Sequence, residues 1–313
     1  MPAQPVIFAY RKADRTMGSK IMRCDQLCGM ATRLGGGGHG FSVLEVPPPG
    51  AARRLRHFAR QTRGAVVIGL KHAFSALPPE TFEDLRKGFA AYCIDHVDSV
   101  PDDAMLLAAD AHILASFEGM RRVRARLRAL GAEDRLVRHV THHADPRLPA
   151  PAPPQQAAPG RLCAVYLGNP ANTVLPRDPG LGGRITILDH LKIGFEATLA
   201  ELPDYNLHYA VRRTTRNRHA SKPFTKGFTA AALRANILVD AGTDDALHYL
   251  GADYPFLIPS NSVDDIAAGV VHVTDAFGTA EWQRGLEVMD YVRHVSSPRH
   301  VVGELTQVLR DVV

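Results

Sequence analysis

The sequence predicts an α/β protein made of two Rossmann-like domains with a helical C-terminal tail. Three observations predict it. Short apolar runs alternate with longer stretches of helical spacing along most of the chain, the pattern of parallel strands joined by helical crossovers. A Pro- and Ala-rich stretch without charge, 148–160, interrupts that alternation near the middle, and afterwards it restarts. The length of 313 residues is long for one core and comfortable for two of roughly 150 residues each.

Taken in order, the runs 6–10, 41–46, 65–70, 91–94, 111–115 and 136–140 read as buried strands. Between them 21–34, 51–62, 79–89 and 118–130 carry apolar residues three and four apart, as helices do. The stretch 148–160 reads as a semi-rigid linker, placing one domain at 1–150 and a second at 161–297. In the second half 162–167, 206–211, 236–239 and 255–258 read as strands, and 188–201, 226–234 and 244–250 as helices. The remainder, in three pieces 263–277, 281–295 and 298–313, is helical throughout.

Composition narrows the function classes. Apolar residues at 45% and charged residues at 22% are ordinary for a globular chain. No apolar run approaches the roughly 20 residues that span a bilayer. The N-terminus has no signal-peptide layout, because Arg11 and Lys12 cut its apolar stretch short, so the expected location is cytoplasmic. Cys24 and Cys28 share a helical face and read as buried thiols, and four scattered cysteines make no disulfide framework. The net charge of +5 suits an anionic ligand or an acidic membrane surface. The Arg-rich runs 53–56 and 121–128 read as solvated helix faces or as contacts to acidic lipid headgroups at the inner face of a membrane. With one Trp and no aromatic residues interleaved with the basic ones, no nucleic-acid partner is expected.

The strongest chemical signal lies between Asp204 and Asp240, where there is no carboxylate but seven cations: Arg212, Arg213, Arg216, Arg218, Lys222, Lys226 and Arg234. Five of them fall in the loop RRTTRNRHASKPFT, between a strand end and a helix start, where open α/β sheets bind ligands. A helix start carries partial positive charge and favours Asp or Glu in its first turn; here the turn reads Thr225-Lys226-Gly227. Free backbone N–H groups, a glycine permitting close approach and converging cations describe a diphosphate site. The other reading is a solvated basic loop. Gly168 and Asn169, after the strand 162–167, either approach the same ligand or form a plain turn.

The segment Lys222-Pro223-Phe224-Thr225-Lys226, with 230–239 after it, resembles the nucleotide-sugar element of GT-B glycosyltransferases. The segments 244–251 and 254–258 continue the similarity. It covers nearly the whole chain in layout and some forty residues in motif. The resemblance implies two domains facing each other across a cleft, with the donor nucleotide sugar in the second and a glycan or other hydroxyl acceptor in the first. It also implies that the terminal helix, 298–313, returns to the first domain. The activity implied is sugar transfer from a nucleotide-diphosphate donor, in cell-surface polysaccharide or glycoconjugate assembly. Many GT-B enzymes carry a Glu in this helix that binds the ribose; here the helix offers Thr229 or Ala230. No Asp-x-Asp occurs in the chain, which agrees with a reaction using no metal and no other cofactor.

The first half should supply the acceptor side and any base. Asp95, His96 and Asp98 end an apolar strand, where a His beside carboxylates can take a proton from a hydroxyl, or where an Asp caps a helix beside a structural His. Lys20 belongs to a basic loop after the first strand, His39 follows four consecutive glycines read as a mobile loop, and His142 ends the last strand of this half; these are the acceptor-side candidates. Two other readings remain open: a sugar-nucleotide epimerase or hydrolase of the same architecture, and a non-catalytic protein that binds a sugar nucleotide or glycan.

Overall fold

The computed structural model describes residues 4–99, 102–149, 160–213 and 221–313. They form two compact units. The first holds the chain up to His142 together with 221–223 and Pro298–Val313; the second holds the rest. The division between His142 and His143 precedes the Pro-rich stretch, most of which (150–159) lies outside the described residues, as do Arg216 and Arg218.

In the first unit six strands form one sheet, β1 (Pro5–Arg11), β2 (Gly40–Val46), β3 (Val66–Leu70), β4 (Ala91–Asp95), β5 (Ala111–Leu114) and β6 (Leu136–His139). Their order is β2-β1-β3-β4-β5-β6, and every pairing is parallel. Successive side chains on a strand point to opposite faces, and the cores sort accordingly. Val6, Phe8, Val66, Ile68 and Cys93 pack with Cys24, Leu27 and Met30 of the helical stretch after β1. Ile7, Ala9, Val67, Tyr92 and Ile94 pack with Phe58, Phe74 and Phe82 on the other side. Cys24 and Cys28 are free thiols within the first of these cores.

The terminal helix, Pro298–Val312, joins that same core through Val301, Val302, Leu305, Val308 and Leu309, spaced on one helical face. Its Glu304 accepts hydrogen bonds from the backbone N–H (2.7 Å) and hydroxyl (3.2 Å) of Thr141.

The second unit has five parallel strands, β7 (Ala164–Leu167), β8 (Ile185–Leu188), β9 (Leu207–Tyr209), β10 (Asn236–Asp240) and β11 (Leu257–Ile258), in the order β11-β10-β9-β7-β8. Helices Val263–Ala276 and Ala280–Val295 follow β11. Among the described residues no helix is long and apolar enough to cross a membrane.

Several local expectations change. β8, Ile185-Thr186-Ile187-Leu188, is a strand that the sequence expectation omits; at four residues it is too short a run to show a period. The helix expected over 188–201 is two, His190–Ile193 and Phe195–Glu201, separated at Gly194, whose φ of 83° lies where helices end. A helix at Asp103–Ala108 occupies a stretch where the sequence predicts no element; Asp102 caps it, accepting from Met105 N at 3.0 Å.

The four-glycine stretch is a defined turn. Gly35, Gly37 and Gly38 have φ of 72°, 70° and 81°, which only glycine adopts at little cost. A Cβ on Gly36 would meet the Phe41 ring at 2.7 Å, and one on Gly37 would meet Thr306 at 2.9 Å. The glycines serve backbone shape and close packing.

Candidate functional site

In the second sheet β7 has β8 on one side and β9 on the other. Loops leaving the C-terminal ends of strands at such a reversal diverge and leave a crevice, the place where open α/β sheets bind ligands. The loop after β7 begins at Gly168, with φ 134°. A Cβ there would make only ordinary contacts, 3.4 Å from the Tyr166 hydroxyl and 3.5 Å from Lys226 Nζ, so the backbone conformation and not a lack of space calls for glycine. Asn169 caps the turn that follows, its Oδ1 accepting from Ala171 N at 2.9 Å; toward a ligand it has its amide donors to offer.

The segment after β9 is tied to that loop. Thr173 and Arg212 form an antiparallel bridge. Thr173 Oγ1 donates to Val211 O at 2.7 Å, Arg213 N donates to Asn172 O at 3.1 Å, and Arg213 Nε donates to Thr173 O at 3.0 Å. Asn261 Nδ2 donates to Arg212 O at 2.8 Å. Arg212 and Arg213 therefore leave a backbone fixed on both sides.

Lys226 lies in the first turn of helix Thr225–Ala232, which has no acidic residue there. Its ammonium donates to Leu167 O at the end of β7 and stands 3.9 Å from the centre of the Tyr166 ring. Burial, and then the like charge of Arg212, lowers its pKa to about 7. His208 on β9 is pushed down to about 3, by burial and then by Lys226. A positive charge in this crevice is thus under-compensated, and an anion would relieve it.

Gly227 has a different task from the one expected. A Cβ there would fall 1.9 Å from Phe224 Cε1, and the Phe224 ring stacks on Tyr249 at 5.8 Å and 8°. The missing side chain admits this ring and not a ligand. The helix offers no ribose partner at the expected positions, since Ala230 is fully buried and Thr229 donates its hydroxyl to Thr225 O at 3.0 Å.

Lys222, expected beside Lys226, belongs to the first unit, where its Nζ faces Asp98 at 3.5 Å. Asp98 also pairs with Lys71, just past the end of β3, at 2.6 Å. Burial opposes ionisation of Asp98, but the two lysines together hold its carboxyl below the ordinary carboxylate range. Val97 and Lys71 have φ of 54° and 51°. The first is a genuine outlier for a β-branched residue, and strain of this kind collects at functional sites.

The neighbours of Asp98 are not available as bases. Asp95 is 2% exposed, and its Oδ2 accepts from Arg23 Nε at 2.7 Å. Arg23 is itself fully buried and donates further to Val140 O (3.1 Å) and Thr141 O (3.2 Å). His96 is equally enclosed, with its Nε2 3.0 Å from Nδ1 of buried His112. Burial and then His112 hold it well below the usual histidine range. Asp95 and His96 are structural, and of the three only Asp98 meets solvent, its side chain 28% exposed.

The acceptor-side candidates separate as well. Lys20 lies past the C-terminal end of β1, donates to both Asp25 oxygens (2.8 and 2.7 Å) and stands 4.6 Å from the Tyr10 ring centre. His142 lies past the end of β6 and is buried. His39 lies away from the ligand-binding end of the sheet. It enters β2, next to Gly40, which pairs with Pro5 at the start of β1, and its Nδ1 lies 3.2 Å from Gln4 O. A loop leading from a helix into a strand lies at the N-terminal edge of a parallel sheet, opposite the end that binds ligands.

Lys71 and Tyr166 were not anticipated. The signal for Lys71 was a cation directly after the apolar run ending at Leu70, and for Tyr166 an aromatic two residues before Gly168. Nothing local marked Arg23 as buried.

No protein-family model matches the chain, and no curated protein matches it in sequence. Solved structures do match in fold. A glycosyltransferase from Rickettsia africae superposes with a TM-score of 0.69 at 9% identity, covering 100% of this chain and 99% of that one. The chain has the GT-B fold. A UDP-forming α,α-trehalose-phosphate synthase from Burkholderia vietnamiensis gives 0.62 at 10% identity, covering 99% and 100% of the two chains. An α-glucosyltransferase solved with UDP and a DNA 13-mer gives 0.61 at 8% identity, covering 99% of each.

Proposed function

We propose that this GT-B protein is a glycosyltransferase that moves a sugar from a nucleoside-diphosphate donor to a hydroxyl acceptor. The observation that carries this reading is the Lys226 ammonium. It sits at a helix start in the switch-point crevice, beside Arg212, with no carboxylate in the turn to balance it. Backbone N–H groups of that turn, Lys226, Arg212 and Arg213 are the donors for a diphosphate. As the bond to the sugar breaks, negative charge grows on the departing diphosphate, and fixed cations stabilise it without a metal. Asp98 is the carboxylate offered to the acceptor hydroxyl. Held ionised by Lys71 and Lys222, it accepts the hydroxyl hydrogen bond, orients the attacking oxygen and receives its proton as the new bond forms.

The reading is tested with UDP, GDP and ADP against their parent nucleosides, by thermal stabilisation. At 100 times its Kd the cognate diphosphate should stabilise the protein by about 2.7 kcal/mol, and its nucleoside at the same concentration by much less. The matching sugar nucleotide should then lose its sugar to a hydroxyl acceptor. If no nucleoside diphosphate stabilises the chain, the reading fails.

A further inference from the structure

The two arginine-rich helices differ in what their arginines meet. On Phe117–Ala129, Arg121 and Arg122 bond Glu118 at 2.8 and 2.7 Å, and Arg126 pairs with Asp103. On Ala52–Thr62, Arg53, Arg56 and Arg60 pair with no carboxylate among the described residues, nor does Arg63 just beyond. Arg54 reaches Glu45 at 3.4 Å, an acid already held by Arg15 at 2.8 Å. The sequence has no carboxylate between Glu45 and Glu80.

The exposed face of this helix carries Arg53, Arg54, Arg56, His57 and Arg60, while Phe58 and Thr62 turn inward. Arg53, Arg54, His57 and Arg60 recur on one helical stripe and, with Glu45 and Pro47, line a cavity of about 490 Å³. Pro48 and Pro49, exposed where the chain enters the helix, add an apolar tip. Eleven residues of helix extend roughly 16 Å, so a lone phosphate can meet only part of the row. Nucleic acid is the poorer fit, because the face shows no Phe, Tyr or Trp for a base to stack on.

We propose that this face docks on an anionic phospholipid bilayer, one headgroup phosphate entering the cavity and its neighbours meeting the remaining arginines. The surface belongs to the first unit and the Lys226 crevice to the second, so the inference stands apart from the glycosyl-transfer reading.

The test is co-sedimentation of the full chain with vesicles of phosphatidylcholine and phosphatidylglycerol, against vesicles of phosphatidylcholine alone. Binding should need the anionic lipid and weaken with salt. The double substitution Arg53→Gln/Arg60→Gln should lower partitioning about 25-fold, from about fivefold per arginine near an anionic surface. The charge-matched Arg121→Gln/Arg128→Gln pair should change it by no more than about twofold. Equal losses from both pairs would show that overall charge alone acts, and absence of binding to anionic vesicles would overturn the proposal. So would a double variant that keeps vesicle binding but loses binding of inorganic pyrophosphate or of a DNA duplex.

Discussion

Replacing Arg23 by alanine should destabilise the first unit by about 3–5 kcal/mol, the scale for breaking a buried ion pair from one side. The guanidinium is fully buried and holds three acceptors: the Asp95 carboxylate and the carbonyls of Val140 and Thr141. Among the described residues Asp95 has only the Val97 N–H, at 3.3 Å, as a further donor, so without Arg23 a carboxylate stays in the core almost uncompensated. Asp95→Asn should lose a comparable amount. Joint replacement by apolar residues of similar volume should recover most of it. Urea unfolding checks all three, and single-variant losses below about 1 kcal/mol would show that the pair carries no such load.

The larger functional effect is expected at Asp98. Asp98→Asn keeps the shape and removes the charge that Lys71 and Lys222 hold in place, and turnover should fall about 10²–10⁴-fold. Affinity for the donor should stay within a factor of a few, because the anchors we propose for it are other residues, Lys226, Arg212 and Arg213. His96→Ala should act differently, lowering stability through the emptied core position beside His112 and lowering activity only as far as folding is lost. Steady-state kinetics with melting curves separates the two. Full turnover in Asp98→Asn would remove this residue from the chemistry.

What the sequence made legible follows from the range over which each signal acts. β1 and β3 are continuous apolar runs, and their boundaries emerge within about a residue of the reading. Lys226 was visible because a helix start without an acid is a local anomaly. Gly227 was visible too, but the ring of Phe224, which claims its bare Cα, depends on a side-chain direction that spacing does not reveal. The polar end of β4 showed Asp95, His96 and Asp98 as equals. They are told apart by Arg23, His112 and Lys222, which lie 72, 16 and 124 residues away along the chain. β8 escaped because four residues, Ile-Thr-Ile-Leu, are too short a run to show a period.

The most direct measurement is the proton balance of nucleoside-diphosphate binding, by calorimetry with UDP at pH 8 in two buffers of different ionisation enthalpy. In the free protein Lys226 has a pKa of about 7, so at pH 8 it is mostly neutral. A diphosphate favours the charged form and raises that pKa, so binding must take up a proton. The terminal phosphate, with a pKa near about 6, is already ionised and contributes none. The account predicts uptake approaching about one proton per UDP bound, and an affinity that falls as pH rises above about 7. In Lys226→Met the uptake should vanish and binding should weaken by about 1.5–3 kcal/mol. UDP that binds with no proton uptake, and equally well to Lys226→Met, would contradict the placement of the diphosphate at this lysine.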